Sequence, residues 1–257
     1  MIQIRDLRVS YGGRVVAHVP ELDLDAATVV GIVGESGSGK SQTALALMGL
    51  CGHAGARVGG SITLDGDELT TKSPSQWRQI RGRRIGMILQ SPRSALNPTM
   101  RLGVLFARTL KLHGLGRSEV EARMRTALDE VVLSRDILER YPHQVSGGQA
   151  QRFAIAMVSS LRPGVVIADE PTSALDVTVQ AEVIEVLREL KERHGTALLF
   201  ISHDLAVVSE LADSVIVMRQ GQVVESGPTG ELLSSPRDEY TRALLAAVPV
   251  IRSGEVS

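Results

Sequence analysis

The sequence predicts a mixed α/β fold: a mainly parallel sheet buried on both faces, an antiparallel β portion near the N-terminus, and a mostly helical insert from about 91 to 162. Three observations predict it. Aliphatic residues fall into short runs, Val29–Val33, Ile85–Leu89, Val165–Ala168, Leu198–Ile201 and Val215–Met218, each bounded by glycine or polar residues, as suits strands covered on both sides. Helical periodicity lies between several of these runs: after Asp176, residues Val179, Val183, Val186, Leu187 and Leu190 recur at 3.6-residue spacing over about four turns. Near the N-terminus the period changes to two, with Ile2/Ile4 and Leu22/Leu24 alternating with polar neighbours.

Each further element has its own signal. Ser61-Ile62-Thr63-Leu64-Asp65-Gly66 reads as a strand ending in a turn, and Ile216–Met218 and Val223–Glu225 read as a hairpin joined through Gln220-Gly221. Ser118 and Glu121 form a capping-box pattern, with Val120, Met124, Leu128 and Val131 on one face of the helix that follows. Beyond Gly227 the chain is punctuated by Pro and Ser and then becomes a short helical run, Tyr240–Val248. With three Phe, three Tyr and one Trp in 257 residues, the core must be aliphatic.

Composition excludes several classes. Twenty-eight Lys and Arg nearly cancel 29 Asp and Glu, so bulk electrostatics argue against a protein that lives on nucleic acid. The single cysteine, Cys51, rules out a disulfide framework and is expected to be a small buried hydrophobe. No apolar run approaches the roughly 18 residues of a membrane span, and the N-terminus lacks a signal-peptide layout. The chain is therefore expected to be soluble and cytoplasmic, with other chains supplying any span.

Two motifs point to phosphate chemistry. Gly34-Glu35-Ser36-Gly37-Ser38-Gly39-Lys40-Ser41 lies between a predicted strand and a helical run (Thr43–Leu50). Small residues let the backbone wrap a polyphosphate so that successive N–H groups and a helix N-terminus face the anion. Lys40 would reach the β- and γ-phosphates, and the Ser41 hydroxyl would sit on Mg²⁺. Only four lysines accompany 24 arginines, so this lysine is not background. Val165-Val166-Ile167-Ala168-Asp169-Glu170 is an apolar strand ending in two carboxylates. Asp169 can join the Mg²⁺ shell, and Glu170 is the candidate to orient or deprotonate an attacking water.

A second anion-binding pattern, Val145-Ser146-Gly147-Gly148-Gln149, opens another helical run. One chain binding one nucleotide has no obvious use for two. Here the sequence resembles the ATP-binding subunits of ABC transporters, in which this signature grips the ATP held by a facing subunit. The resemblance implies a P-loop NTPase core with a mixed, mainly parallel sheet, an N-terminal antiparallel β subdomain and a helical signature subdomain. It places the ATPase domain at 1–235, with the helical subdomain at about 91–162, and a short tail at 236–257. It also implies roles: Tyr11 to stack on adenine; the loop from Gly34 to Ser41, with Gln42, on the phosphates; Gln90 to touch Mg²⁺ beside Ser41 and Asp169 and relay its state to the helical subdomain. Ser146, Gly147, Gly148 and Gln149 would contact the facing ATP. Asp176 belongs to the D-loop, Ser173-Ala174-Leu175-Asp176, and His203 would be the switch histidine at the γ-phosphate. The other histidines, at 18, 53, 113, 143 and 194, read as surface or structural.

Two departures leave the chemistry untouched: Val145 stands where the family has Leu, and Ala27-Thr28 where it commonly has Gly-Glu. Ser91-Pro92-Arg93-Ser94-Ala95-Leu96-Asn97-Pro98, Tyr141-Pro142-His143-Gln144, Leu175–Ala181 and Tyr240-Thr241-Arg242-Ala243-Leu244-Leu245 resemble the oligopeptide, dipeptide and nickel importer branch. The short tail is similar to that of nickel-import subunits. The resemblance implies ATP and Mg²⁺ as cofactors and a peripheral place on the cytoplasmic face of the membrane. It implies as partners a transmembrane permease, a second ABC ATPase (a related chain rather than a copy) and, indirectly, an extracytoplasmic solute-binding protein. Nickel and peptides both stand as cargo. A soluble ABC-type ATPase acting on nucleic acid or the ribosome is the alternative, with Arg78, Arg81, Arg83, Arg84 and Arg93 as its local basic cluster.

Overall fold

Ten strands form one mixed sheet in the computed structural model, which describes residues 1–51, 55–173 and 175–247. In chain order they are β1 (Ile2–Tyr11), β2 (Arg14–Leu24), β3 (Val29–Val33), β4 (Arg57–Leu64), β5 (Asp67–Glu68), β6 (Ile85–Ile88), β7 (Val165–Asp169), β8 (Ala197–Ser202), β9 (Ser214–Arg219) and β10 (Gln222–Pro228). Their spatial order is β5-β4-β1-β2-β10-β9-β3-β8-β7-β6. The run β9-β3-β8-β7-β6 is parallel, the pairs β9/β10, β1/β2, β1/β4 and β4/β5 are antiparallel, and β2 meets β10 in a parallel bridge. The antiparallel portion is thus continuous with the parallel core through a β2/β10 contact.

The parallel strands alternate between two cores. Val166 and Ala168 of β7, with Leu198 and Phe200 of β8, face a cluster built with the helices of the insert. Val165 and Ile167, with Leu199 and Ile201, face a second cluster shared with β1, β2 and β4. Burial on both faces is why these segments read as unbroken aliphatic runs. Leu89 is the exception: it falls outside β6 and is 44% exposed, because pairing with β7 ends at Ile88.

The helices are α1 (Lys40–Leu47), α2 (Pro74–Ile80), α3 (Pro92–Ala95), α4 (Leu102–Leu112), α5 (Arg117–Glu130), α6 (Gly147–Ser159), α7 (Val177–His194), α8 (Leu205–Ser209), α9 (Thr229–Ser234) and α10 (Glu239–Ala246). The insert is helical as expected: α3 to α6 gather around Phe106, Phe153 and Leu128, with the two phenyl rings meeting edge to face at 5.6 Å. The start of α5 differs from the Ser118/Glu121 reading. The cap is Gly116, whose N–H donates to Glu119 Oε2 at 2.8 Å, and the helix begins at Arg117. The same apolar face is buried, so two overlapping capping registers served one amphipathic helix, and the earlier one adds Val120 N–H to Gly116 C=O. Val248, placed at the end of the last helical run, lies outside the described residues, as do His53 and Ala174. No helix among the described residues is long and apolar enough to cross a membrane.

Cys51 is buried, and burial pushes its thiol up to about 11, so it stays protonated and unreactive. Of the other described histidines, three have side-chain partners of their own: His18 sits between Asp6 and Gln222, His143 stacks on Tyr141, and His194 meets Glu130. The arginine cluster is largely spent inside the molecule. Arg81 donates to the carbonyls of Met48 and Gly49, Arg83 to that of His113, and Arg84 pairs with Asp67.

Two stability predictions follow from local geometry. Ala27, where a glycine would be free, is held at φ 56° in the turn into β3. Left-handed backbone costs an L-residue roughly 1–2 kcal/mol, partly offset by the greater freedom of unfolded glycine. Ala27→Gly should raise the melting temperature by about 2–4 °C; a lower midpoint in calorimetry would contradict this. At the β4–β5 edge, burial acts to raise the Glu68 carboxyl, but hydrogen bonds from Ser61, Thr70 and Ile62 outweigh it and hold the group at about 2. The folded value lies below the unfolded one, so the stabilisation is complete above pH 4.5 and is lost as pH falls toward about 2. Urea unfolding of the wild type and Glu68→Gln should therefore differ at neutral pH and converge on acidification through that window.

Candidate functional site

Four neighbouring parallel strands end at one edge of the sheet. Register pairs Ile88 with Ala168, Asp169 with Ile201 and Val33 with Ser202, so β6, β7, β8 and β3 stop nearly flush. Each then presents polar groups to a common crevice, the place where open α/β sheets bind ligands. Gln90 follows β6, Asp169 ends β7 and Glu170 follows it, His203 follows β8, and the glycine-rich loop follows β3. The cleft they enclose holds about 580 Å³ and is lined by Glu35 to Gln42, Gln90, Glu170 and His203, together with Val16 and Leu244.

The loop is shaped by its small residues. Gly34 sits at φ 153°, and a Cβ there would lie 2.1 Å from the Met218 carbonyl oxygen and 2.7 Å from Ser38 Oγ, so no side chain fits. Gly39, at φ 105°, caps α1 without a side-chain hydrogen bond. Lys40, only 4% exposed, donates to the carbonyls of Gly34 (2.6 Å) and Glu35 (2.9 Å). Burial lowers its pKa, while Glu170, Asp169 and Glu35 act the other way. The Ser38 hydroxyl is buried without a hydrogen-bond partner, an orphan inside a loop built to hold polar groups.

Around Asp169 the charge balance favours a cation. The Ser41 hydroxyl donates to Asp169 Oδ1 at 3.1 Å. Burial raises the Asp169 pKa and adjacent Glu170 raises it further, against the opposing effects of Ser41 and Lys40. A hydroxyl and a carboxylate this close are oxygen donors suited to Mg²⁺, which takes few protein ligands and completes its octahedron with phosphate and water. The Gln90 amide Nε2 donates to Glu170 Oε2 at 2.7 Å, which leaves its Oε1 as a further oxygen donor. His203 Nδ1 lies 3.6 Å from the same oxygen. Glu170 is thus the meeting point of the residues that follow β6 and β8. Its backbone is strained, at φ 45°, and is fixed by Glu170 N–H to the Ile201 carbonyl and by the Ser173 hydroxyl on the Glu170 carbonyl. That turn keeps Asp169 buried while its neighbour reaches the cleft.

Three further groups named from the sequence lie outside the lining of this cleft. Tyr11 does not line the cleft; its hydroxyl donates to Gln42 Oε1 at 2.8 Å, tying β1 to the start of α1. Beside it, a depression lined by Arg14, Val15, Val16 and Gly37 adjoins the loop. Ser146 caps α6, accepting from Gln149 N–H, and Gln149 Oε1 accepts from Ser146 N–H, a complete capping box. None of Ser146, Gly147, Gly148 or Gln149 lines the cleft of its own chain. Gly148 packs so closely on α7 that a Cβ would lie 2.3 Å from Val179 Cγ1. Asp176 caps α7 through Val179 N–H at 3.0 Å and is also absent from the cleft lining. Conversely, sequence reasoning missed Val16 and Leu244, and Tyr240, whose hydroxyl accepts from Glu35 N–H.

Comparison with known proteins agrees with this geometry. The profile of the ABC transporter family matches residues 18–173, more than half of the chain. The glutathione import ATP-binding protein GsiA of Shigella dysenteriae is 46% identical over 235 residues, 88% of this chain, and that of Salmonella paratyphi A is 46% identical over 237 residues, 89% of the chain. The chain spans 38% of the length of these curated relatives. Among solved structures, a dimeric bacterial ABC transporter cassette superposes with a TM-score of 0.76 at 24% identity, covering 89% of this chain and 99% of the other. Clostridium perfringens cbiO1, part of the cbiONQ ABC transporter complex, gives 0.80 at 24%, covering 96% and 95%. The family match runs from β2 across the phosphate loop and past the Asp169–Glu170 strand end, and on that ground the chain belongs to the ABC transporter family.

Proposed function

We propose that the chain is the ATP-hydrolysing subunit of an ABC importer, peripheral to the cytoplasmic face of the membrane. The observation that carries this reading is the convergence of Gln90 and His203 on one oxygen of Glu170, at the mouth of the phosphate loop. ATP phosphates would lie on the loop N–H groups and Lys40, with Tyr11 beside the adenine. Ser41 and Asp169, with Gln90 beside them, would hold Mg²⁺, which would supply charge neutralisation for the β- and γ-phosphates. Glu170 orients the attacking water and accepts its proton, and His203 stabilises charge on the transferred phosphoryl group. Holding the Glu170 carboxylate by the Gln90 amide makes its position depend on the segment that follows, Ser91–Pro98, which is the route proposed toward a permease.

The signature residues of this chain lie away from its own cleft, which supports their use on a facing subunit. ATP would then be the contact that closes the pair, and loss of the γ-phosphate would open it. We propose a related ATPase as that partner and an extracytoplasmic solute-binding protein upstream of the permease. For cargo, the glutathione-import relatives favour a small peptide over nickel. The internal partners of Arg81, Arg83 and Arg84 leave little free charge for a nucleic-acid surface.

Uptake in intact cells tests this reading. With Lys40→Ala in place of the native residue and protein level checked by immunoblot, uptake of a labelled small peptide should fall to background while labelled nickel uptake is unchanged. Selective loss of nickel uptake would move the cargo to nickel, and survival of both would contradict the reading as a peptide or nickel importer.

A further inference from the structure

The tail motif Tyr240–Leu245 plays no part in the chemistry above, yet it touches the phosphate loop. Tyr240 is buried, and its hydroxyl accepts from Glu35 N–H at 2.9 Å, across 205 residues of chain. Leu244, one turn further along α10, lines the cleft. The bonded N–H matters because of what lies at the other end of the same peptide unit. The Gly34 carbonyl and the Glu35 N–H belong to one peptide plane and, in a trans peptide, point in opposite directions. Lys40 Nζ donates to that carbonyl at 2.6 Å. The plane is therefore clamped between Lys40 on one side and Tyr240 on the other.

We infer that Tyr240 is a positioning residue for ATP: its hydroxyl holds the Gly34–Glu35 peptide in the orientation that the phosphate-binding loop requires. The inference rests on ATP binding at this loop. When phosphate draws the Lys40 ammonium away from the Gly34 carbonyl, one side of the clamp is released. Gly34 has no Cβ to resist rotation, so the peptide is free to turn unless its N–H is held. The two hydrogen bonds also polarise each other while both are made, since an N–H that donates makes its own carbonyl a better acceptor.

The backbone and ring that carry the hydroxyl are held by Asp238, Glu225 and Arg219. Asp238 Oδ1 caps α10 by accepting from Tyr240 N–H at 2.8 Å. The Glu225 carboxylate of β10 accepts from Arg237 N–H (2.8 Å) and Asp238 N–H (3.1 Å), anchoring the approach to the helix. The Arg219 guanidinium of β9 lies over the Tyr240 ring, 4.9 Å from its centre. The helix itself packs on α8, which begins two residues after His203. One short helix thus links the glycine-rich loop with the helix that follows His203.

Tyr240→Phe in the full chain removes the hydroxyl and keeps the ring. Equilibrium binding of ATP and ADP, with melting of the nucleotide-free protein, separates the possibilities. The dissociation constants for both nucleotides should rise at least twofold, and up to about tenfold, the range of one neutral hydrogen bond. The nucleotide-free melting temperature should stay within about 3 °C of wild type. An ATP dissociation constant within twofold of wild type overturns the inference, and so does weaker binding accompanied by a larger fall in melting temperature, which would make Tyr240 a residue of the fold alone. Wild-type protein that failed to bind ATP would instead overturn the reading of the loop itself.

Discussion

The register of four parallel strands governs everything at the cleft. Because β6, β7, β8 and β3 end nearly flush, four residues distant in sequence reach the same few ångströms without a long loop to carry them. Burial holds that register. Val165 and Ile167 on one face and Val166 and Ala168 on the other are fully buried, and slipping the strand by one residue would exchange the two faces and carry Asp169 out of line with Ser41. The apolar runs therefore fix a polar geometry that they do not themselves contain.

Charge at the strand ends is arranged around a deficit. Three carboxylates, those of Glu35, Asp169 and Glu170, act on the buried Lys40 ammonium, and Asp169 is raised by its own burial. A polyphosphate alone would deepen the negative charge, which supports the proposal that a divalent cation accompanies it. The strained turn at Glu170 serves the same division of labour. It separates two adjacent carboxylates into different surroundings, one beneath Ser41 and one beside Gln90 and His203.

Much of this was legible in the sequence, for identifiable reasons. Strands buried on both faces read as aliphatic runs, and the loop, Asp169–Glu170, Gln90 and His203 stand at the ends of those runs, so their convergence could be anticipated. Details that depend on register were less legible: Leu89 was placed inside a strand that ends at Ile88, and α5 begins before its expected cap. Two capping patterns share the segment around Ser118, and only packing chooses between them. The bond between Gln90 and Glu170 has no signal in the sequence, where the resemblance gives the two residues separate partners, metal for one and water for the other. Least legible was Tyr240. Its partner is a backbone N–H, which every residue but proline possesses, and no spacing in the chain announces it.

The central claim is that the parallel strand ends assemble one hydrolytic site with Glu170 as its pivot. Its most direct test is single-turnover ATP hydrolysis by Glu170→Gln in the assembled complex, purified through a tag on this chain, alongside equilibrium ATP binding. Glutamine preserves the size of the side chain but cannot take a proton from water. ATP binding should stay within about threefold of wild type, because the phosphate contacts are untouched, while turnover falls by about a hundredfold or more. Turnover within tenfold of wild type, with ATP bound normally, would contradict the account.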